Sequence, residues 1–299
     1  MKSTKNSAAR SSQIAILITA AVLMLLISGI QQNYARKEIR HNLERTAEME
    51  LIIKSIDVKH SLEDVTLALR NRTWEFEQFL PYPDSLFDVT RRIVEENPNF
   101  ASCCIAMVPN YYPEKGRLFE PYTLRRGELI ETLQLASEEH DYSKNPDFII
   151  AAKNDSSFWS EPYHDEDDPN VTLITYTFPI YDEYGDMAAV VGIDLNTVWI
   201  GKLLNSKHMF PSSYNLLLSG KGKLMYSLPN SEVKHKDVEQ IMGLINDSTA
   251  EHTVSASGRV TIFSFIDWED QEKGSVYYST PNSIRPWSIA VVNYDDEVF

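Results

Sequence analysis

The chain has 299 residues, with 28 Lys and Arg against 43 Asp and Glu, a formal net charge of −15. All 43 acids but only 25 of the bases follow residue 35, a net of −18; this excludes a nucleic-acid partner, because phosphate binding needs clustered Lys and Arg. The only cysteines, Cys103 and Cys104, are adjacent and would point to opposite faces of a strand, so they form no disulfide framework and read as small buried side chains.

Taken in chain order, the first feature is Ile14 to Ile30, 17 residues without a charge. As a helix it covers about 25 Å, and a span assigned to residues 13–34 crosses a bilayer. A cleaved signal peptide would carry a shorter apolar core and a small-x-small exit; Ser28-Gly29-Ile30-Gln31-Gln32 fits that poorly, so the segment reads as an uncleaved anchor. Lys2, Lys5 and Arg10 precede it with no acid, which places residues 1–12 in the cytoplasm. Arg36, Lys37, Arg40 and Arg45 follow it and pull the other way; the weight usually carried by the first segment decides for N-inside.

From Ala35 to Phe79 there is no proline or glycine, and apolar residues return at three- and four-residue steps (Ile39, Leu43, Ile52, Ile56, Leu62, Val65, Leu69). This predicts a stalk helix over residues 35–80, continuous with the span and ended by Pro81 and Pro83. Such a helix is roughly 65 Å long, so it either lies along an elongated domain or pairs with another helix. Asp84 to Asn97 predicts a second helix and Phe100 to Val108 a buried strand. Tyr111 to Tyr122 is rich in turns, Glu128 to Glu139 is polar without a clear period, and Asp147 to Lys153 is a short helix. Val171 to Tyr181 and Met187 to Leu195 form a hairpin about Asp182–Asp186, with Gly185 for positive φ. Asn196 is the expected N-cap of a helix to Leu204. A second unit follows: a hairpin of Tyr214–Ser219 and Lys223–Ser227, a helix at Val238–Ile245, and strands at Arg259–Ile266, Gly274–Ser279 and Trp287–Asn293. The fold class is α+β, with two tandem units (81–205 and 206–299) strung along one long helix.

Trp159-Ser-Glu-Pro162-Tyr163, followed by a hairpin ending Val191-Gly-Ile-Asp194-Leu195 and later by Pro286-Trp287-Ser-Ile289, resembles the double Cache sensor domains of bacterial receptors. The resemblance covers about residues 36–299. It implies two PAS-like modules with antiparallel sheets outside the bacterial cytoplasmic membrane, the first distal and the second proximal. It also implies a small ligand bound in the distal module and a helix shift passed inward.

A small polar metabolite needs an aromatic wall and a few oriented donors and acceptors. Tyr163 offers a ring and a hydroxyl, and Asp165 and Asp194 offer carboxylates; in amino-acid-sensing relatives, carboxylates at these matching positions hold the ligand ammonium. Tyr142, Phe148 and Tyr176 are further wall candidates, whereas Trp159 and Pro162 read as locks on their loop. The competing role for Asp194 is to cap the helix that starts near Asn196. Those relatives hold the ligand carboxylate with an Arg-x-Trp-Tyr element about fifteen residues before the Tyr. Here the stretch reads Asn145-Pro146-Asp147-Phe148, so the expected ligand is a cation, an amine or an uncharged molecule.

The acidic run His164–Asp168 lacks the spaced ligands and central Gly of a calcium loop. The seven histidines show no catalytic spacing, and no kinase, phosphatase or dinucleotide motif is present. Neither cofactor nor metal is expected. The expected function is ligand sensing for an output module beyond this chain: a histidine kinase, a PPM-type serine phosphatase, a chemoreceptor or a cyclase. The residues end where relatives turn into a second span, so the output is expected to follow. The alternatives are an anchored partner-binding module, with a homodimer through the stalk, and, least supported, an anchored hydrolase.

Overall fold

A computed structural model describes residues 2–165, 171–206, 213–226, 235–255, 257–267, 271, 273–284 and 287–294. Glu166–Asp168 of the acidic run, Ser227, Pro286 and residues 295–299 lie outside them. Helix α1 runs without interruption over Lys2–Arg70. It is the one helix among the described residues long and apolar enough to cross a membrane, and none of that apolar window is buried.

The expected stalk does not run to residue 80 as one piece. It stops at Arg70, turns through Asn71 and Arg72, and restarts as α2 (Thr73–Phe79). Arg72 N–H donates to Leu69 O at 2.9 Å, a tight turn that redirects the chain. Phe76 of α2 then meets Phe178 edge-on, centroids 5.9 Å apart. Helix α3 (Ser85–Glu96) follows, with Leu86, Val89, Ile93 and Val94 fully buried along one stripe.

The first sheet comprises β1 (Phe100–Met107), β2 (Pro121–Arg126) and β3 (Leu129–Gln134), then, after α4 (Pro146–Asn154), β4 (Phe158–Trp159), β5 (Tyr163–His164), β6 (Thr172–Tyr181) and β7 (Met187–Asn196). Its order is β3-β2-β1-β7-β6-β4, with β5 also on β6. Polar Glu128–Glu139, left open by its lack of period, supplies the edge strand β3, which suits an exposed edge. Helix α5 (Val198–Leu204) leads to β8 (Tyr214–Leu218), β9 (Leu224–Tyr226), α6 (His235–Asn246), β10 (Thr253–Val254), β11 (Val260–Ile266), β12 (Lys273–Ile284) and β13 (Trp287–Tyr294). These strands form a second antiparallel sheet of order β10-β11-β12-β13-β8-β9.

Helix α3 covers β1, β2 and β3, α2 reaches β6, and α1 lies on β12 and β13. One continuous core joins both sheets through Leu51, Val58, Ile193, Trp287 and Ile289. Within the first sheet alternation sorts the side chains. Cys103, Ile105, Thr123, Tyr176 and Ile193 face the helices, as the hydroxyl contact of Thr123 with Thr90 of α3 at 2.8 Å fixes. Ser102, Cys104, Tyr122, Thr175, Gly192 and Asp194 therefore share the opposite face.

Candidate functional site

Asp194 sits at the centre of that opposite face. Its Oδ1 accepts from the Tyr163 hydroxyl at 2.8 Å and from Thr175 Oγ1 at 2.6 Å. Ser102 Oγ donates to Oδ2. Strand register explains the convergence: Ser102 and Thr175 are the direct partners of Asp194 on the two flanking strands. Gly192 keeps the neighbouring floor low, since a Cβ there would stand 2.9 Å from Cys104 Sγ. Asp194 does not cap the following helix. Asn196 Oδ1 accepts from Val198 N–H at 2.8 Å, and the residue in the N-cap position is Thr197 rather than Asn196, without a capping side-chain bond of its own.

Further acids surround this centre. Glu120 precedes β2 and is 4 % exposed; its Oε2 makes no hydrogen bond. Burial first, and then the charge of Asp194, push its carboxyl up to about 8. Asp147, in the first turn of α4, is also raised, by burial and then by Asp194. Tyr163 and Tyr122 are raised for the same two leading reasons, and Asp165 adds to the field at Tyr122. Burial and the nearby carboxylates lift the Cys104 thiol well above its ordinary range. Among the described residues no Lys or Arg pairs with Asp194, Glu120 or Asp147. The imidazole of His140 stands near Glu120, with Nε2 3.7 Å from Oε2, beyond hydrogen-bond reach. The site is a place for positive charge and hydrogen-bond donors.

Of the residues expected from sequence, Tyr163 and Asp194 meet here, and Asp165 lies close enough for its charge to act on Tyr122. Tyr142 does not: its hydroxyl donates to Met107 O at 2.6 Å inside the core, and Phe148 packs on its ring at 5.3 Å. Tyr176 points to the helix side, against Trp159 at 5.0 Å. Trp159 also stands edge-on to Trp287 of the second sheet, ring centroids 5.9 Å apart; Pro162 lies half-buried in the same loop. Ser102, Cys104, Glu120, Tyr122, Asp147 and Thr175 were not singled out by the sequence. Their signal was present, as polar residues at two-residue spacing (102 and 104, 120 and 122, 175 and 177) inside apolar runs.

Residues 86–202 match the family model of the "Methyl-accepting chemotaxis protein-like, first PDC sensor domain". A search of curated proteins returns no significant match. Among solved structures, Methyl-accepting Chemotaxis protein X is similar at a TM-score of 0.64 and 17% identity, covering 86% of this chain and 99% of its own. The extracellular domain of the provisionally assigned histidine kinase soHK1S-Z6 is similar at 0.61 and 21% identity, covering 88% and 98%. The ligand-binding domain of the Pseudomonas aeruginosa PAO1 chemoreceptor PctB, in complex with L-Gln, is similar at 0.56 and 14% identity, covering 85% and 92%. The fold is that of these solved two-module domains, and residues 86–202 are similar to a first PDC, or Cache, domain.

Proposed function

We propose that this chain is the extracytoplasmic ligand-sensing region of a bacterial receptor. It is held in the cytoplasmic membrane by residues 13–34 and faces the periplasm or exterior. Residues 81–205 form its membrane-distal module and residues 206–299 its proximal one. The distal module takes a small amine or other cation at Asp194, Tyr163 and Asp165, and the proximal module passes the response along α1 to an output domain outside this chain.

The observation that carries this reading is the contrast between the two sheets. The face of the second sheet turned away from α1 is filled: Leu216, Leu218, Phe263, Phe265, Val276 and Val292 pack against Val238 and Ile241 of α6. The corresponding face of the first sheet instead gathers Asp194, Ser102, Thr175, Tyr163 and Glu120. Burying carboxylates without a fixed counter-charge costs stability, and such groups collect at functional sites. Ligand-binding domains of this fold, three of them from chemoreceptors, hold L-Gln, L-Arg, asparagine and L-serine, ligands that all carry an ammonium.

The test is a thermal-shift screen of the full chain in detergent micelles against amines, amino acids, organic acids and sugars. A ligand that binds the folded state raises the melting temperature by mass action. An amine hit lost in Asp194→Asn and weakened in Tyr163→Phe supports the site. A hit that survives both changes overturns the site, and hits confined to organic acids overturn the cationic ligand.

A further inference from the structure

Asp194 is nearly saturated. A carboxylate offers about four lone-pair positions, and three hydroxyl donors, Ser102, Thr175 and Tyr163, already occupy it. Glu120 is the reverse: almost fully buried, with Oε2 unpartnered. Its backbone is already satisfied: the N–H donates to Gln134 Oε1 at 3.1 Å and the carbonyl accepts from Leu135 N–H at 3.1 Å. A buried acceptor left unmade costs about 1–3 kcal/mol, a cost that a ligand donor removes.

Register places the two acids on one face. Tyr122 is the partner of Cys104, and the bond from Met107 N–H to Phe119 O at 3.1 Å carries the same pairing onward, so Glu120 stands opposite Ala106. Glu120 and Tyr122, two apart, point the same way. Asp194 stands opposite Ser102, on the other side of β1. Four residues along the strand and two strand spacings across put the Cα atoms about 16 Å apart. Both side chains reach inward from there, toward Cys104, which feels the charge of each. The groups facing Glu120 are Asp194 on β7, Cys104 on β1, Tyr122 on β2, His140 and Tyr142 ahead of α4, and, through Asp194, Asp147 on α4. Among the described residues no three His, Cys, Asp or Glu converge on one point as a metal ion would need.

Resting on the distal-site reading above, we propose that Glu120 is a second anchor, which makes this site selective for a ligand with two cationic groups on a spacer of about five carbons. One ammonium takes the remaining acceptor position of Asp194 and the second ends on Glu120 Oε2. Without ligand, Glu120 holds a proton at neutral pH, because burial and Asp194 raise its carboxyl. A second ammonium replaces that proton, so binding releases it to solvent.

The experiment titrates the full chain in detergent micelles with 1,5-diaminopentane and with 1-aminopentane at pH 7, in two buffers of different ionisation enthalpy. The expected result is a preference for the diamine of about tenfold or more, the size of one charge-assisted hydrogen bond. Diamine binding releases a proton. Glu120→Gln removes the preference and leaves 1-aminopentane binding in place. If Glu120→Gln does not fold, the proton count of the unaltered chain decides, and diamine binding without proton release overturns the second anchor. So does a chain that binds 1-aminopentane, loses it in Asp194→Asn, and shows no diamine preference; the sensor site then stands. A chain that binds neither amine overturns the diamine selectivity, and the sensor site is then decided by the screen above.

Discussion

At the scale of single residues, the acids on this face of the first sheet should govern how stability responds to pH. The carboxyl of Glu120 lies at about 8 in the folded chain, raised by burial and by Asp194, against an ordinary carboxylate value once unfolded. Between those values the folded state binds more protons than the unfolded one, so stability falls as pH rises through that window. Glu120→Gln should flatten the fall, read as melting temperature against pH. Cys103 and Cys104 supply an independent check. Burial is the first cause raising both thiols, and the thiolate is the reactive form. Both should resist iodoacetamide at pH 8 until the chain unfolds, as counted by mass spectrometry. Gly192→Ala would press a methyl against Cys104 Sγ at 2.9 Å; overpacking of this kind costs about 1–3 kcal/mol and should lower the melting temperature.

At the scale of elements, the segment from β4 to β5 ties the site to the second sheet. Trp159 rests on Trp287, Glu161 Oε2 accepts from Ser219 Oγ at 2.6 Å, and two residues later Tyr163 holds Asp194. A ligand that moves Tyr163 therefore pulls on a strap whose other end is fixed to β8. Glu161→Gln should leave amine affinity within about twofold while reducing the ligand-induced change in α1, measured by hydrogen exchange over residues 47–62; unchanged exchange would rule the strap out. Most elements were legible in the sequence because their periods are strong: the hairpin of β6 and β7, helix α3 and strand β1 lie within two residues of expectation. The break at Asn71–Arg72 was not, because no Pro or Gly marks it; Phe76 finding Phe178 is a tertiary contact. The two-residue strands β4, β5 and β10 are too short to carry a period. The site divided in the same way. Asp194 and Tyr163 came with their motif, whereas Glu120 and Ser102 reach it only through strand register.

At the scale of the whole molecule, α1 has more apolar surface than the two sheets cover. Ala47, Leu51, Val58, Leu62 and Leu69 are buried in the core, yet Met49, Ile53, Ile56 and Leu67 on its other side remain exposed. Steps of four and three between Met49, Ile53 and Ile56, resumed at Leu67, describe a heptad seam, the pattern of a helix that pairs with a copy of itself. His60 and Glu63 lie on the same seam and are exposed, so a pairing through it would be interrupted in the middle and modest in strength. Two chains anchored side by side by parallel spans would present these seams in register, raising their effective concentration. The expected state in lipid nanodiscs is therefore a parallel homodimer. A single cysteine at Ile53 (Ile53→Cys) should form an intermolecular disulfide under mild oxidation. Cysteine at Ala68, exposed but about 100° round the helix from the middle of the seam, should not cross-link. Adding Ile56→Glu to the Ile53→Cys chain puts a charge into the seam and should suppress the cross-link without moving the melting temperature, since Ile56 is 45 % exposed in the single chain. Equal cross-linking at Ile53 and Ala68 would mean that the helices only collide, and the exposed stripe would then belong to a different partner.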